Sequence, residues 1–162
     1  MESTLELFVY GSLKLGECND FVIKEWVVDW QPATVRGQMR LRPDNYPALF
    51  VDLYGRLGSA DYLRDLELNE APVSRAGQVI QGQLLRLNPG VLALPRLDEF
   101  EGYFPGSYSE YLRVAVSAST SSGERACWTY TGVGQPRADW CSIDNWPPEG
   151  LAVNPDPYQH GL

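Results

Sequence analysis

Residues 33–42 alternate between two kinds of side chain, and this pattern limits what the chain can fold into. Every second position is polar, while the positions between them carry Val35, Gly37, Met39 and Leu41. Successive side chains of a strand point to opposite faces of a sheet. We therefore predict a half-buried strand here, with its polar face in solvent, and a sheet as the framework of the fold.

Five further runs rich in apolar, β-branched or aromatic residues predict additional strands. They are residues 5–10, 48–54, Gln78–Leu87, 111–118 and 125–131. A loop rich in serine, at residues 119–123, separates the last two, so we expect them to form a hairpin. Residues 60–76 are polar and weakly patterned, and they predict a turn-rich insertion that carries one short helix.

Two segments have helical features. Residues 21–30 carry apolar side chains at spacings of three and four, and Pro32 is expected to end this helix. Residues 97–101 follow Pro95, which is tolerated in a first helical turn, and precede Gly102, which favours a helix end. About six strands and two short helices predict an α+β domain, built as a small mixed β-barrel with flanking short helices.

The size and charge of the chain limit its domain count and its partners. Its 162 residues correspond to one domain, formed by residues 1–131, with a proline-rich tail, residues 132–162, packed on it through Trp140 and Trp146. Lys and Arg total 13 against 21 Asp and Glu, which gives a net charge of −8. A phosphate backbone repels such a chain, and its arginines are scattered singly, so we expect no nucleic-acid partner.

Histidine and cysteine are scarce, which argues against metal and thiol chemistry. The single histidine is His160, and Cys18, Cys127 and Cys141 show no C-x-x-C spacing. A zinc site or a Cys–His nucleophile pair needs several such groups in close register, so we expect neither of them and no cofactor. No apolar run reaches the roughly 18 residues that span a bilayer, and the N-terminal residues lack a cationic signal region. We expect a soluble cytoplasmic protein without a membrane partner.

The first candidate site is the segment Tyr10, Gly11, Ser12 and Leu13, which directly follows the first predicted strand. Glycine lets a ligand approach the backbone closely, and successive backbone N–H groups beyond a strand end can hold a carboxylate. The same residues also fit a tight turn in which Ser12 bonds its own backbone. The segment is therefore either a binding loop or an ordinary turn.

The second candidate site is Glu101. At about 100° per residue, Glu101 lies on the apolar face of the predicted helix and Glu99 points away from it. Burial disfavours a charged carboxyl group and raises its pKa, which is how a glutamate can transfer protons near neutral pH. Alternatively, Glu101 bends to solvent at the helix end or pairs with an arginine such as Arg113.

Three motifs occur in order along the chain: Tyr10-Gly11-Ser12-Leu13, then Leu97-Asp98-x-x-Glu101-Gly102-Tyr103, then Tyr111-x-Arg113. Shorter matches are Tyr46-Pro47-Ala48-Leu49 and Gly82-Gln83-Leu84. In this order and spacing the motifs resemble the γ-glutamylcyclotransferase-like superfamily, and most closely its AIG2-like and γ-glutamylamine cyclotransferase branch. Residues 60–76 are longer than the usual connection of that family.

This resemblance implies a fold, an activity and site residues. The family fold is a small mixed β-barrel with flanking helices. Its activity is the cyclisation of a γ-glutamyl amine or amide to 5-oxoproline with release of an amine, without a metal ion or a covalent enzyme intermediate. By position, Glu101 is then the catalytic acid and base, while Tyr10, Gly11, Ser12 and Leu13 bind the glutamyl part. Arg113 is a further candidate, as a partner of the substrate carboxylate.

Two other classes of protein stay open at this point. A non-catalytic relative would use the same fold to bind a small acidic metabolite or a protein partner. An amide hydrolase would use Glu101 to activate water, and it would release free glutamate instead of 5-oxoproline. Neither the leaving amine nor the oligomeric state follows from these residues.

Overall fold

The computed structural model describes residues 3–109 and 111–151. In this part of the chain seven strands form one sheet: β1 (Leu5–Val9), β2 (Val27–Leu41), β3 (Pro47–Phe50), β4 (Gln78–Leu87), β5 (Tyr111–Thr120), β6 (Gly123–Gly132) and β7 (Cys141–Ile143). Two α-helices accompany it, α1 (Tyr62–Asp65) and α2 (Gly90–Glu101). The predicted α+β class is confirmed.

The sheet follows the strand order β3-β2-β4-β1-β6-β5, and β7 pairs with β2. Because β1 lies antiparallel to β4 and parallel to β6, the sheet is mixed, as predicted. An additional pairing of β2 with β5, at Thr34 and Ser119, brings the path of the sheet back on itself. The result is a ring-like sheet, and buried side chains from its strands form one core with those of α2.

The local pattern of side chains correctly predicted the positions of most of the strands. β4 has the predicted bounds, and β5 and β6 form the predicted hairpin, paired along their whole length. In the second half of β2, Ala33, Val35, Gly37 and Met39 are buried while the polar positions between them are more exposed. The short helix expected within residues 60–76 is α1.

The predicted helix at residues 21–30 is wrong. The structure has two short 3-10 turns there, Asp20–Val22 and Lys24–Trp26, and β2 then begins at Val27. Pro32 does not end a helix, since it lies inside β2 opposite Gln83 of β4. An isolated helix of about ten residues is marginal in water, so pairing with the long strand β4 outweighs the local helical pattern.

The second helix is longer than predicted, because α2 begins at Gly90 and Pro95 lies inside it. The Gly90 N–H donates to the Ser3 carbonyl (2.8 Å), and burial of Ala93 and Leu94 adds packing that favours this first turn. Tertiary contacts therefore outweigh the one backbone hydrogen bond that proline removes. The helix ends as predicted, with Gly102 in the left-handed conformation at φ 68°.

The segment after β6 contains a strand that the sequence pattern did not predict, β7, which pairs with β2. Trp146 is fully buried and stacks on Tyr46 with ring centroids 5.6 Å apart, and its indole N–H donates to the Asn45 carbonyl at 2.8 Å. The division of the chain at residue 131 stays a prediction. Residues 152–162, which include His160, lie outside the described residues.

Candidate active site

The loop of Tyr10, Gly11, Ser12 and Leu13, here called the Tyr10 loop, leaves the end of β1, and all four residues are buried. Hydrogen bonds from Asn19 hold it at Ser12: the Asn19 N–H donates to the Ser12 carbonyl and its side-chain amide donates to Ser12 Oγ, both at 2.9 Å. The loop also contains a turn, since the Lys14 N–H donates to the Gly11 carbonyl at 3.0 Å. Its role as a binding loop stays a prediction.

The strand β4 contacts the end of β1 and the residue just beyond the Tyr10 loop. Gln83 accepts a hydrogen bond from the Leu15 N–H at 2.8 Å, just beyond the loop. A Cβ atom at Gly82 would lie 2.3 Å from the Val9 carbonyl oxygen, so only glycine lets β1 approach β4 this closely. The short Gly82-Gln83-Leu84 match in the sequence therefore has a structural role, as a support for the loop.

Tyr10 connects the loop to the interior. Its hydroxyl donates to the Tyr130 carbonyl at 2.8 Å. Burial raises the pKa of Tyr10 well above 10.0, and the charges of Tyr111 and Glu101 raise it further. The charge of the Glu101 carboxylate is among the causes that raise the pKa of Tyr10, which indicates that the two predicted sites are neighbours.

Glu101 is the last residue of α2, and only 1% of it is exposed. Glu99, two residues earlier, is exposed, so the two carboxylates point as the helical angles predict. The alternative in which Glu101 bends to solvent is wrong. The helix delivers one carboxyl group to the interior.

Arg113 of β5 lies fully buried in a network of charges. Its Nε donates to Asp98 Oδ1 (2.8 Å), its Nη2 to Asp98 Oδ2 (3.1 Å) and to the Ser59 carbonyl (2.9 Å), and its Nη1 to Asp65 Oδ2 (2.9 Å). The guanidinium also lies 4.7 Å from the centre of the Trp128 ring. The role of Arg113 as a ligand of the substrate carboxylate stays a prediction, and these four hydrogen bonds are all internal.

Asp98 links this network to the candidate acid and base, because it precedes Glu101 by three residues on α2. Tyr130 donates its hydroxyl proton to Asp98 Oδ1 at 2.6 Å, while its carbonyl accepts the Tyr10 hydroxyl. Burial raises the pKa of Asp98, and the hydrogen bonds from Arg113 and Tyr130 act against that rise. Tyr130 therefore connects the Tyr10 loop to α2, with one hydrogen bond from its backbone carbonyl and one from its side chain.

The sequence pattern did not identify several residues of this site. Asp98 was visible within the Leu97-Asp98-x-x-Glu101 motif, but nothing assigned it a partner. Asp65 lies in the weakly patterned insertion, where no local signal marks a buried carboxylate. Tyr130 resembled any aromatic residue of a strand. Long-range contacts alone distinguish these three from ordinary surface or core residues.

An open cleft of about 470 Å³ lies beside Tyr111. Its lining residues are Arg42, Pro43, Asp44, Ala48, Phe50, Tyr111, Gly132, Val133 and Trp140. Arg42 forms an ion pair with Asp44 at 2.8 Å and donates to the Tyr111 hydroxyl at 2.5 Å. The sequence pattern did not predict this cleft, because its lining comes from segments that are far apart in the sequence.

The fold and the site define a class of small α+β proteins with a candidate acid–base site. The features of this class are a mixed ring-like sheet, a buried loop at the end of the first strand and an inward glutamate at a helix end. The chain belongs to the γ-glutamyl cyclotransferase, AIG2-like family, whose model matches residues 7–147. The matched residues include every member of the site described above. None of the curated proteins matches the sequence.

Solved structures share the fold. An AIG2-like protein from Mus musculus gives a TM-score of 0.61 at 17% identity, over 94% of this chain and 97% of that chain. YkqA from Bacillus subtilis gives a TM-score of 0.53 at 19% identity, and the match covers 90% of this chain and 40% of that chain. A protein from Arabidopsis thaliana gives a TM-score of 0.52 at 21% identity, and the match covers 85% of this chain and 74% of that chain. At these identities the likeness extends to the fold alone.

Two negative findings concern the described residues only. In residues 3–109 and 111–151 no group of three or more His, Cys, Asp or Glu side chains is arranged to hold a metal ion. The helices of this part of the chain are all too short or too polar to cross a membrane.

Proposed function

We propose that this protein is a γ-glutamyl cyclotransferase that converts a γ-glutamyl amine or amide into 5-oxoproline and a free amine. The observation that carries the proposal is the burial of Glu101 at the end of α2, three residues after Asp98, which Tyr130 connects to the Tyr10 hydroxyl. Membership of the γ-glutamyl cyclotransferase, AIG2-like family supports the same reaction class.

The reaction begins with proton removal. The Glu101 carboxylate takes a proton from the α-ammonium group of the substrate, which frees the lone pair of that nitrogen. The nitrogen then attacks the γ-carbonyl carbon of the same molecule, and the carbonyl π electrons move to the oxygen. Backbone N–H groups of the Tyr10 loop stabilise the oxyanion. A shaped site speeds this step because it holds the amine and the carbonyl together.

The second half of the reaction returns the proton. Glu101 gives it to the leaving nitrogen as the carbon–nitrogen bond breaks. Attack leaves the α-nitrogen with a second surplus proton, which Glu101 passes to the leaving nitrogen in the same way. The α-nitrogen loses two protons and the leaving nitrogen gains two, so the products are the lactam 5-oxoproline and the released amine in its ammonium form. No covalent bond to the enzyme forms in this scheme.

Arg113 has a positioning role in this proposal. Its internal hydrogen bonds hold Asp98, one turn before Glu101 on the same helix, and so fix the direction of the acid and base. Tyr130 adds a second constraint on Asp98 and connects it to the Tyr10 loop. These contacts supply the rigid support that a proton-transfer group needs.

The test is the substitution Glu101→Gln, which keeps the shape of the side chain and removes its proton-transfer function. We expect the rate of 5-oxoproline release from γ-glutamyl amides to fall by roughly 10²- to 10⁴-fold, with the circular dichroism spectrum unchanged. Glu99→Gln is the matched control, because Glu99 is exposed on the same helix. Undiminished turnover by Glu101→Gln would sink the proposal.

Product analysis separates the other classes of function. Free glutamate, one water heavier than 5-oxoproline, would indicate hydrolysis. Binding of γ-glutamyl compounds in a titration calorimeter without any product would indicate a non-catalytic relative. Each outcome is distinct from the cyclisation that we propose.

A further inference from the structure

We infer that the cleft beside Tyr111 binds the leaving amine of the substrate and selects amines with an apolar body of aromatic size. This inference rests on the proposed cyclotransferase function and specifies its substrate class. It concerns a surface formed by the turn between β2 and β3, by β3, β5 and β6, and by the segment after β6, and it is distinct from the Tyr10 loop and from Glu101.

The register of the hairpin brings this cleft next to the candidate site. Arg113 lies opposite Tyr130, whose carbonyl accepts the Tyr10 hydroxyl. Two residues along the same strands, Tyr111 lies opposite Gly132, and both of these line the cleft. Two residues of a strand span about 7 Å, so the cleft opens within the length of a substrate side chain from Tyr10.

The charged groups of the cleft neutralise each other. Arg42 is paired with Asp44 and also donates to the Tyr111 hydroxyl. A charged group on the ligand would have to compete with these contacts or be desolvated without a partner, which is unfavourable. The cleft therefore disfavours an amine that carries a second charge.

Apolar side chains supply most of the remaining wall. They are Pro43, Ala48, Phe50, Val133 and Trp140. The volume of about 470 Å³ falls within the roughly 300 to 1,000 Å³ that small-molecule sites occupy in proteins. Such a surface favours an arylalkyl amine over a short alkyl amine, because binding of the larger amine removes more apolar area from water.

Gly132 keeps this wall open. A Cβ atom at Gly132 would lie 2.5 Å from Phe50 Cε1, which is too close for any ordinary contact. With glycine at this position, the Phe50 ring lies against the hairpin and leaves the cleft beside it free. The close packing of Phe50 at the wall of the cleft therefore explains why position 132 of β6 carries a glycine.

The experiment compares 5-oxoproline release from three γ-glutamyl amides, those of phenethylamine, ethylamine and 1,4-diaminobutane. We expect kcat/KM to be at least tenfold higher for the phenethyl amide than for the ethyl amide, and lowest for the diaminobutane amide, whose free end is cationic. Val133→Asp adds a charge to the cleft at a position that is 53% exposed. We expect it to reduce the preference for the phenethyl amide at least fivefold.

The matched control is Val28→Asp, the same substitution at a site that is 58% exposed and does not line the cleft. Equal kcat/KM values for the three amides, or the same preference in both variants, would overturn the inference and leave the cyclotransferase proposal intact. Release of no 5-oxoproline from any of the amides would overturn the proposed function, and this inference with it.

Discussion

Arg113 and Asp98 form a two-point ion pair in the interior, with side chains that are 0% and 3% exposed. The Nε–Oδ1 distance is 2.8 Å and the Nη2–Oδ2 distance is 3.1 Å. The pair joins β5 to the last turn of α2, where Glu101 lies. The position of Glu101 is therefore linked to the hairpin of β5 and β6.

Asp98→Asn should destabilise the protein, because it leaves the buried Arg113 guanidinium with one carboxylate in place of two. Removing one partner of a buried ion pair typically costs 3–5 kcal/mol, and since Asp65 remains we expect a loss of about 3 kcal/mol. Urea unfolding followed by fluorescence measures the loss. Glu99→Gln on the exposed face of α2 is the control, and equal stability of the two variants would contradict the prediction.

The same variant tests whether Asp98 positions Glu101. If Asp98 acts by holding α2, Asp98→Asn should lower kcat more than it raises KM, since Glu101 loses its fixed direction while the Tyr10 loop still binds the substrate. A change in KM alone would instead indicate that Asp98 contributes to binding.

Alkaline pH should destabilise the fold through Tyr10 and Tyr130. Burial is the main cause that raises the pKa of both phenols well above 10.0. In the unfolded chain they ionise near pH 10, whereas in the folded chain they stay neutral. Their contribution to stability is therefore fully present below pH 10 and is lost as the pH rises above it, by about 1.4 kcal/mol per pH unit for each tyrosine.

Urea unfolding between pH 8 and pH 11 measures this slope. Tyr10→Phe should reduce the slope, because the variant has one fewer buried phenol. Tyr108→Phe is the control, since Tyr108 is 92% exposed. A slope in Tyr10→Phe that equals the slope of the unmodified protein would show that Tyr10 ionises normally in the folded state.

Gly82→Ala should destabilise the protein and displace the Tyr10 loop. The new methyl group would meet the Val9 carbonyl oxygen at 2.3 Å and Phe8 Cζ at 2.6 Å, and a backbone carbonyl in a sheet has little freedom to move. Overpacking of a core typically costs 1–3 kcal/mol, and we expect a loss of about 3 kcal/mol. Because Val9 directly precedes Tyr10, kcat/KM should fall as well.

Thermal unfolding gives the stability of this variant. The control is Gly55→Ala, where the nearest atom to a new Cβ is Pro72 Cδ at 3.1 Å, a contact that a small shift can relieve. Equal melting temperatures for the two variants would mean that β1 and β4 can separate without penalty.

Features that depend on neighbouring residues were predictable from the sequence. The alternation in residues 33–42 gave the second half of β2, and the bounds of β4 followed from its composition. Glu101 and Glu99 differ by about 200° around a helix, so their opposite burial followed from helical geometry once α2 was predicted. The motifs identified the family for the same reason, since each motif is a short run of neighbouring residues.

Features that depend on distant residues required the tertiary structure. Residues 27–32 became a strand because β4 offered them a partner, and α2 gained its first turn through contacts of Gly90 and Leu94 with other segments. The position of Asp65 beside Arg113, 48 residues away in sequence, has no local signature at all. The sequence by itself determined the alternating strands and the inward glutamate. The three-dimensional fold decided that residues 27–32 form a strand, which charges pair around Arg113 and where the cleft opens, because those depend on contacts between segments that no local pattern records.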